Sequence, residues 1–156
     1  MTTTTHTAGL AVNELAVEML RRGGRLRIKA RGTSMMPFIR DGDIVVVATA
    51  ETTDIAVGDV ICYDASPRSI VLHRVIARAG DRFVAKGDAL GSRELVQFTQ
   101  LLGKAIGFER QGTVRRLDTR VARWRNRTIA AVSPLLPALL FLALRLRRVC
   151  GRRSGG

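Results

Sequence analysis

The sequence predicts a mainly β fold: a small coiled sheet or barrel, with a short helix before it and an apolar helix after it. Three observations carry this expectation. Short runs rich in β-branched and other apolar residues recur between residues 25 and 118. The dipeptide Gly-Asp punctuates them at 42–43, 58–59, 80–81 and 87–88, and each such pair suits a tight turn beside a strand. The apolar fraction of 46% supplies a core, whereas only 15 glycines and two cysteines exclude a collagenous or disulfide-dense chain. That apolar mass also excludes a disordered polyelectrolyte, despite a net charge of +13.

The elements follow in order. The Thr-rich start is expected to fray. Val12, Leu15, Ala16, Met19 and Leu20 then mark one face of a short amphipathic helix, which Gly23-Gly24 ends. Glu14 and Glu18 interrupt the apolar residues here, so the stretch is not read as a secretory signal. Leu26, Ile28 and Ala30 alternate with basic residues, the period of a half-buried strand. Ile44 to Ala48, Val60 to Tyr63, Ile70 to Ala77, Arg82 to Ala85 and Lys104 to Phe108 are further β-rich runs. This gives three regions: 1–24, a tail and amphipathic helix; 25–118, a β domain large enough for one modest core; and 119–156, a basic and apolar tail.

The charge is unevenly placed. Of the 26 basic residues 23 are Arg. Residues 1–110 carry 15 bases and 12 acids, a net of +3, and residues 111–156 carry 11 Arg and one acid, Asp118, a net of +10. The tail arginines form two blocks, Arg115 to Arg127 and Arg145 to Arg153, around an uncharged stretch from Thr128 to Leu144. Basic blocks that bracket an apolar stretch suit an anionic membrane surface, so residues 115–153 are expected to contact membrane lipid. A nucleic-acid partner is not expected, because interleaved aromatics and a reading helix are missing. The 17-residue stretch is near the lower limit for a spanning helix, and Pro134 and Pro137 are tolerated in one. A spanning or re-entrant anchor and an interfacial helix both remain open.

Few residues can carry chemistry. His6 lies in the loose Thr run. His73 lies in an apolar strand pattern on the same face as Val71 and Val75, and on pattern alone either a structural or a catalytic role is open. Ser34 follows Gly32 at a corner after the first strand, and Pro37 fixes the chain that leaves it. A serine so placed projects its hydroxyl, and its own N–H can face an oxyanion; an ordinary turn serine is the alternative. Cys62 and Cys150 sit in different contexts without metal-ligand spacing, so they read as unpaired thiols. No metal or cofactor is expected.

The motifs taken together resemble a known family. G-T-S-M-M-P, then D-G-D-I-V-V-V, V-G-D-V-I-C-Y, V-L-H-R-V-I and A-K-G-D-A-L occur in the order of the signal peptidase I family across residues 26–108. The resemblance implies a signal-peptidase-like catalytic fold with Ser34 as nucleophile. Most bacterial members carry a lysine general base directly before R-V-I. Here that position is His73, which is similar to the Ser–His archaeal and endoplasmic-reticulum branch. In that branch an acid after K-G-D completes the site. Asp88 matches the motif aspartate and Glu94 lies near a second one; either could hold His73 in the needed tautomer, and Asp88 ranks slightly ahead as a site residue. Ala89 replaces the usual asparagine, and Gly32 lacks the hydroxyl that many members use at the oxyanion, so the Ser34 N–H would do more. Lys86 is the alternative base. A histidine needs no desolvation to be neutral near pH 7, since its reference pKa is about 6.5 against about 10.4 for lysine.

The implied activity is a membrane-associated serine endopeptidase acting on signal- or leader-like peptides of a preprotein. The alternatives are a noncatalytic β-fold binding or assembly module, and a self-cleaving regulator related to the SOS repressors. The last needs a DNA-binding domain before the first strand, and about 25 residues are too few for one. The expected location is the plasma membrane, through the C-terminal segment. Six Arg before that segment oppose translocation of their flank, which mildly favours a catalytic domain on the cytoplasmic face. Oligomeric state is not readable from the chain.

Overall fold

The computed structural model describes residues 14–65 and 69–132. The fold is mainly β. Eight strands follow in order: β1 (Arg25–Lys29), β2 (Ile44–Ala48), β3 (Val60–Asp64), β4 (Ile70–Ala79), β5 (Arg82–Lys86), β6 (Glu94–Gln97), β7 (Leu101–Arg110) and β8 (Thr113–Arg116). A helix over residues 14–21, α1, precedes them, and α2 (Arg120–Val132) follows. The strands form one antiparallel sheet in the order β1-β2-β7-β3-β4-β5-β6, with β8 paired to β7.

Side-chain alternation on β3 builds two cores. Val60 and Cys62 join Leu20, Met35, Ile39, Val45 and Phe108 on one face. Ile61 and Tyr63 join Ile55, Val75, Phe83, Ala85 and Val96 on the other. The four residues from Val60 to Tyr63 are therefore all buried, which accounts for their unbroken apolar run. Burial pushes the Cys62 thiol up to about 12, so it packs as a neutral, unpaired side chain.

The strands anticipated from the sequence are all present, several of them longer. The short β6 and β8 were not anticipated. Within β6 only Val96 is buried, and β8 is exposed throughout, so neither shows the period that marks a strand. The buried face of α1 also differs from the expected one. Ala16 and Leu20 are buried, but Leu15 and Met19 are exposed, because the helix rests on the sheet through a narrower stripe. Val12 lies outside the described residues, as does the apolar stretch after Val132. Among the described residues no helix is long and apolar enough to cross a membrane.

The α2 helix is held close to the sheet. A Cβ on Gly58 would meet the Asn126 and Arg127 backbone at 2.7–2.9 Å, and Gly58 has φ +100°. Both facts require glycine there. Ala122, Asn126, Ile129 and Ala130 form the buried side of the helix, while Trp124 is exposed.

Candidate active site

Ser34 lies in the loop between β1 and β2, and this loop is tied at both ends. The Ala30 N–H donates to the Asp43 carbonyl at 2.8 Å, and the Gly32 N–H donates to the Asp41 carboxylate at 2.8 Å. The Asp43 carboxylate accepts the Arg40 N–H at 2.8 Å and a forked pair from Arg110 at 2.9 and 2.6 Å. Arg110 also donates to the Phe38 carbonyl at 3.0 Å. The Arg110 guanidinium holds the Asp43 carboxyl below the usual carboxylate range. Met35 and Ile39 are buried in the core, and Phe38 is half-buried beneath the Arg74 guanidinium, 5.6 Å from its ring centre. The residues after Ser34 therefore pack inward.

The Ser34 carbonyl accepts the Ala89 N–H at 2.9 Å. A Cβ on Gly87 would lie 2.7 Å from that same carbonyl oxygen. Gly87 is thus required by close approach and not by a left-handed backbone. The turn after β5 is in this way docked on the serine loop, with Asp88 between the two contacting residues.

His73 lies on β4, the strand that pairs with β5. It pairs in register with Ile61 and is buried. The strand register lines up its surroundings. Tyr63 on β3 sits two residues beyond Ile61 and so shares its face. Val75, two beyond His73, pairs with Ala85 on β5, and Ala85 pairs with Glu94 on β6. The small Ala85 leaves the lane between Glu94 and His73 open. Register shifts lie on both sides of this row, between Cys62 and Tyr63 and between Val75 and Ala77; such bulges re-aim side chains.

The polar contacts follow from that geometry. Glu94 Oε2 lies 3.6 Å from His73 Nδ1. The Tyr63 hydroxyl donates to Glu94 Oε2, and its oxygen lies 3.1 Å from His73 Nδ1. Burial lowers the His73 pKa, with the nearby Glu94 and Asp88 carboxylates opposing that shift. The imidazole is therefore neutral at pH 7 and can accept a proton. Burial and the Glu94 carboxylate together raise the Tyr63 pKa, so its hydroxyl keeps its hydrogen.

Asp88 is engaged elsewhere. It is fully buried, and both its oxygens accept from Arg74, Nε at 2.8 Å and Nη2 at 2.7 Å. Arg74 Nη1 donates to the Gly58 carbonyl at 2.8 Å. The carboxylate nearer His73 Nδ1 is thus Glu94, at 3.6 Å. Asp88 acts on the imidazole only through its charge at a distance. Lys86 pairs in register with Arg74, on the face of β4 away from His73. It is buried, and burial lowers its pKa.

No hydrogen bond joins Ser34 to His73 among the described residues. Serine–base contacts commonly tighten only with substrate bound. A cavity of about 240 Å³ lies on the Arg74 face, lined by Phe38, Ile39, Arg74, Arg110, Asn126 and others, and Ser34, His73 and Glu94 are not in its wall. Among the described residues no three His, Cys, Asp or Glu side chains group as a metal site would need.

Tyr63 is the site residue that sequence reasoning missed. Two signals could have found it. It is the only tyrosine in the chain, and it closes the V-G-D-V-I-C-Y run on the same alternation as Ile61, opposite the strand that carries His73.

Compared with known families, residues 15–105 match the one described as signal peptidase, peptidase S26. No curated protein matches the chain. The matched stretch holds Ser34, Tyr63, His73, Asp88 and Glu94, and it covers more than half of the 156 residues. The chain belongs to the signal peptidase S26 family, a family of peptidases.

Proposed function

We propose that the protein is a membrane-associated serine endopeptidase that cuts signal- or leader-like peptides, with Ser34 as nucleophile and His73 as general base. The observation that carries this reading is a buried histidine with an acid 3.6 Å from its Nδ1, on a strand adjacent to β5, whose following turn docks on the serine loop. Family membership supplies the peptide substrate class, and the basic and apolar residues 115–153 supply the lipid contact.

The chemistry is acyl transfer in two steps. The Ser34 Oγ–H bond breaks as Oγ bonds to the scissile carbonyl carbon, and His73 Nε2 takes the proton. When the tetrahedral intermediate collapses, the C–N bond breaks and that proton leaves with the amine. The acyl group remains as an ester on Ser34. A water then gives a proton to Nε2 and its hydroxide to the ester carbonyl. The ester C–O bond breaks, Ser34 regains the proton, and the second peptide leaves with a carboxyl end.

The test is to express the full chain in cells with Ser34 intact or as Ser34→Ala, and to map new peptide N-termini. The reading expects a set of termini that vanishes in the alanine variant, a loss of at least about a thousandfold in cleavage. Identical termini with both chains would replace it with a noncatalytic binding role.

A further inference from the structure

We propose that Tyr63 is a positioning residue that fixes the tautomer of His73 by relaying the Glu94 carboxylate to Nδ1. This rests on the reading of His73 as the general base, and it adds a member to that site.

A phenol has one O–H. In the structure that hydrogen is given to Glu94 Oε2. The Tyr63 oxygen, 3.1 Å from His73 Nδ1, then has only lone pairs to offer the ring. The contact is a hydrogen bond only if Nδ1 carries the proton. A neutral imidazole has a single N–H, so Nε2 keeps its lone pair, and that is the nitrogen a serine base needs free. Glu94 is 3.6 Å from Nδ1, beyond direct hydrogen-bond reach. Its carboxylate therefore sets the tautomer by orienting the Tyr63 hydroxyl and not by touching the ring.

The arrangement is over-determined in the way a positioning device requires. Tyr63 is buried, and its ring leans on the imidazole with centroids 6.0 Å apart and planes at 55°, so the ring cannot swing freely. The ionisable groups around His73 are Tyr63 from β3, Glu94 from β6 and, after β5, Asp88, whose oxygens are bonded to Arg74. Of these only Tyr63 lies within hydrogen-bond distance of the ring among the described contacts.

The test reads the tautomer directly. Nitrogen-15 NMR of the full chain, in a His6→Gln background that leaves His73 as the only imidazole, distinguishes Nδ1–H from Nε2–H above the His73 titration. The expected result is a dominant Nδ1–H form. In Tyr63→Phe the Nδ1–H to Nε2–H ratio falls roughly two- to tenfold, the worth of one net hydrogen bond. Glu94→Ala, at an exposed site that spares the core, gives the same shift, because the freed Tyr63 hydroxyl can then donate to Nδ1. An unchanged ratio in Glu94→Ala overturns the relay. A shift in Glu94→Ala with none in a folded Tyr63→Phe also overturns it, since Glu94 would then hold the ring alone. The readout needs no cleavage. If Ser34-dependent termini are absent but the tautomer shifts as expected, the relay stands and the peptidase reading fails; the reverse pattern removes only the relay.

Discussion

His73 and Arg74 are consecutive on β4 and face opposite sides of the sheet. Arg74 meets a fully buried carboxylate, Asp88, in a two-point ion pair, and spends a third donor on the Gly58 carbonyl. Its charge is satisfied, and the pair ties the turn after β5 to β4 and to the turn before β3. His73 meets no such closed partner. Its acid, Glu94, is half exposed and reaches it through a hydroxyl. One face holds a charge in place, and the other leaves an imidazole neutral and able to gain a proton. Asp88 and Glu94 are only six residues apart, yet they meet different partners, because alternation on β4 turns Arg74 and His73 to opposite faces. In the proposed mechanism Asp88 maintains the frame around the Ser34 loop, and Glu94 tunes His73 as the base.

The largest expected effect lies on the Arg74 face. Asp88→Ala leaves a buried guanidinium unpaired, which costs about 3–5 kcal/mol, so urea denaturation should show a large fall in midpoint and cleavage should be lost with the fold. A stable, folded Asp88→Ala protein would place Asp88 outside the frame.

On the His73 face Glu94→Ala should leave stability nearly unchanged and lower the rate. The expected fall is roughly tenfold to a hundredfold, smaller than the ~10²–10⁴ that general-base catalysis as a whole contributes. Glu94 raises the His73 pKa against the lowering effect of burial. Without it the imidazole stays neutral to lower pH, so the rising limb of the pH–rate profile should move toward acid. A limb that moves toward alkali would exclude Glu94 as the neighbour of the titrating base.

Much of this comparison was legible in the sequence. Each Gly-Asp pair and each long β-run marked a real strand boundary, because turn chemistry and strand period are local properties. The alternation that puts His73 with Val71 and Val75 was readable for the same reason. The partners of Asp88 and Glu94 were not, since both depend on which strands lie side by side. Glu94 reaches His73 across Ala85 only because β4, β5 and β6 are neighbours in register. Tyr63 was overlooked because it looked like one more core residue in a buried strand. The apolar face of α1 is narrower than its period suggests, with Leu15 and Met19 exposed, because helical period alone does not say how much of a stripe the sheet will cover.

The smallest expected effect belongs to Lys86. It is buried with a lowered pKa, as a lysine base would be, yet it pairs with Arg74 on the far face. Lys86→Met should therefore keep cleavage within roughly threefold with the same pH profile. Loss of activity in a folded Lys86→Met protein would move the base to that face.

The most direct measurement of the central claim is kcat/KM against pH for a peptide spanning a Ser34-dependent cleavage point, in the wild type and in His73→Ala. The rate should rise with pH through an inflection below the ordinary histidine value of about 6.5, and His73→Ala should lose at least about a hundredfold. A profile flat from about pH 5 to 8, or a His73→Ala rate equal to the wild type, would contradict it.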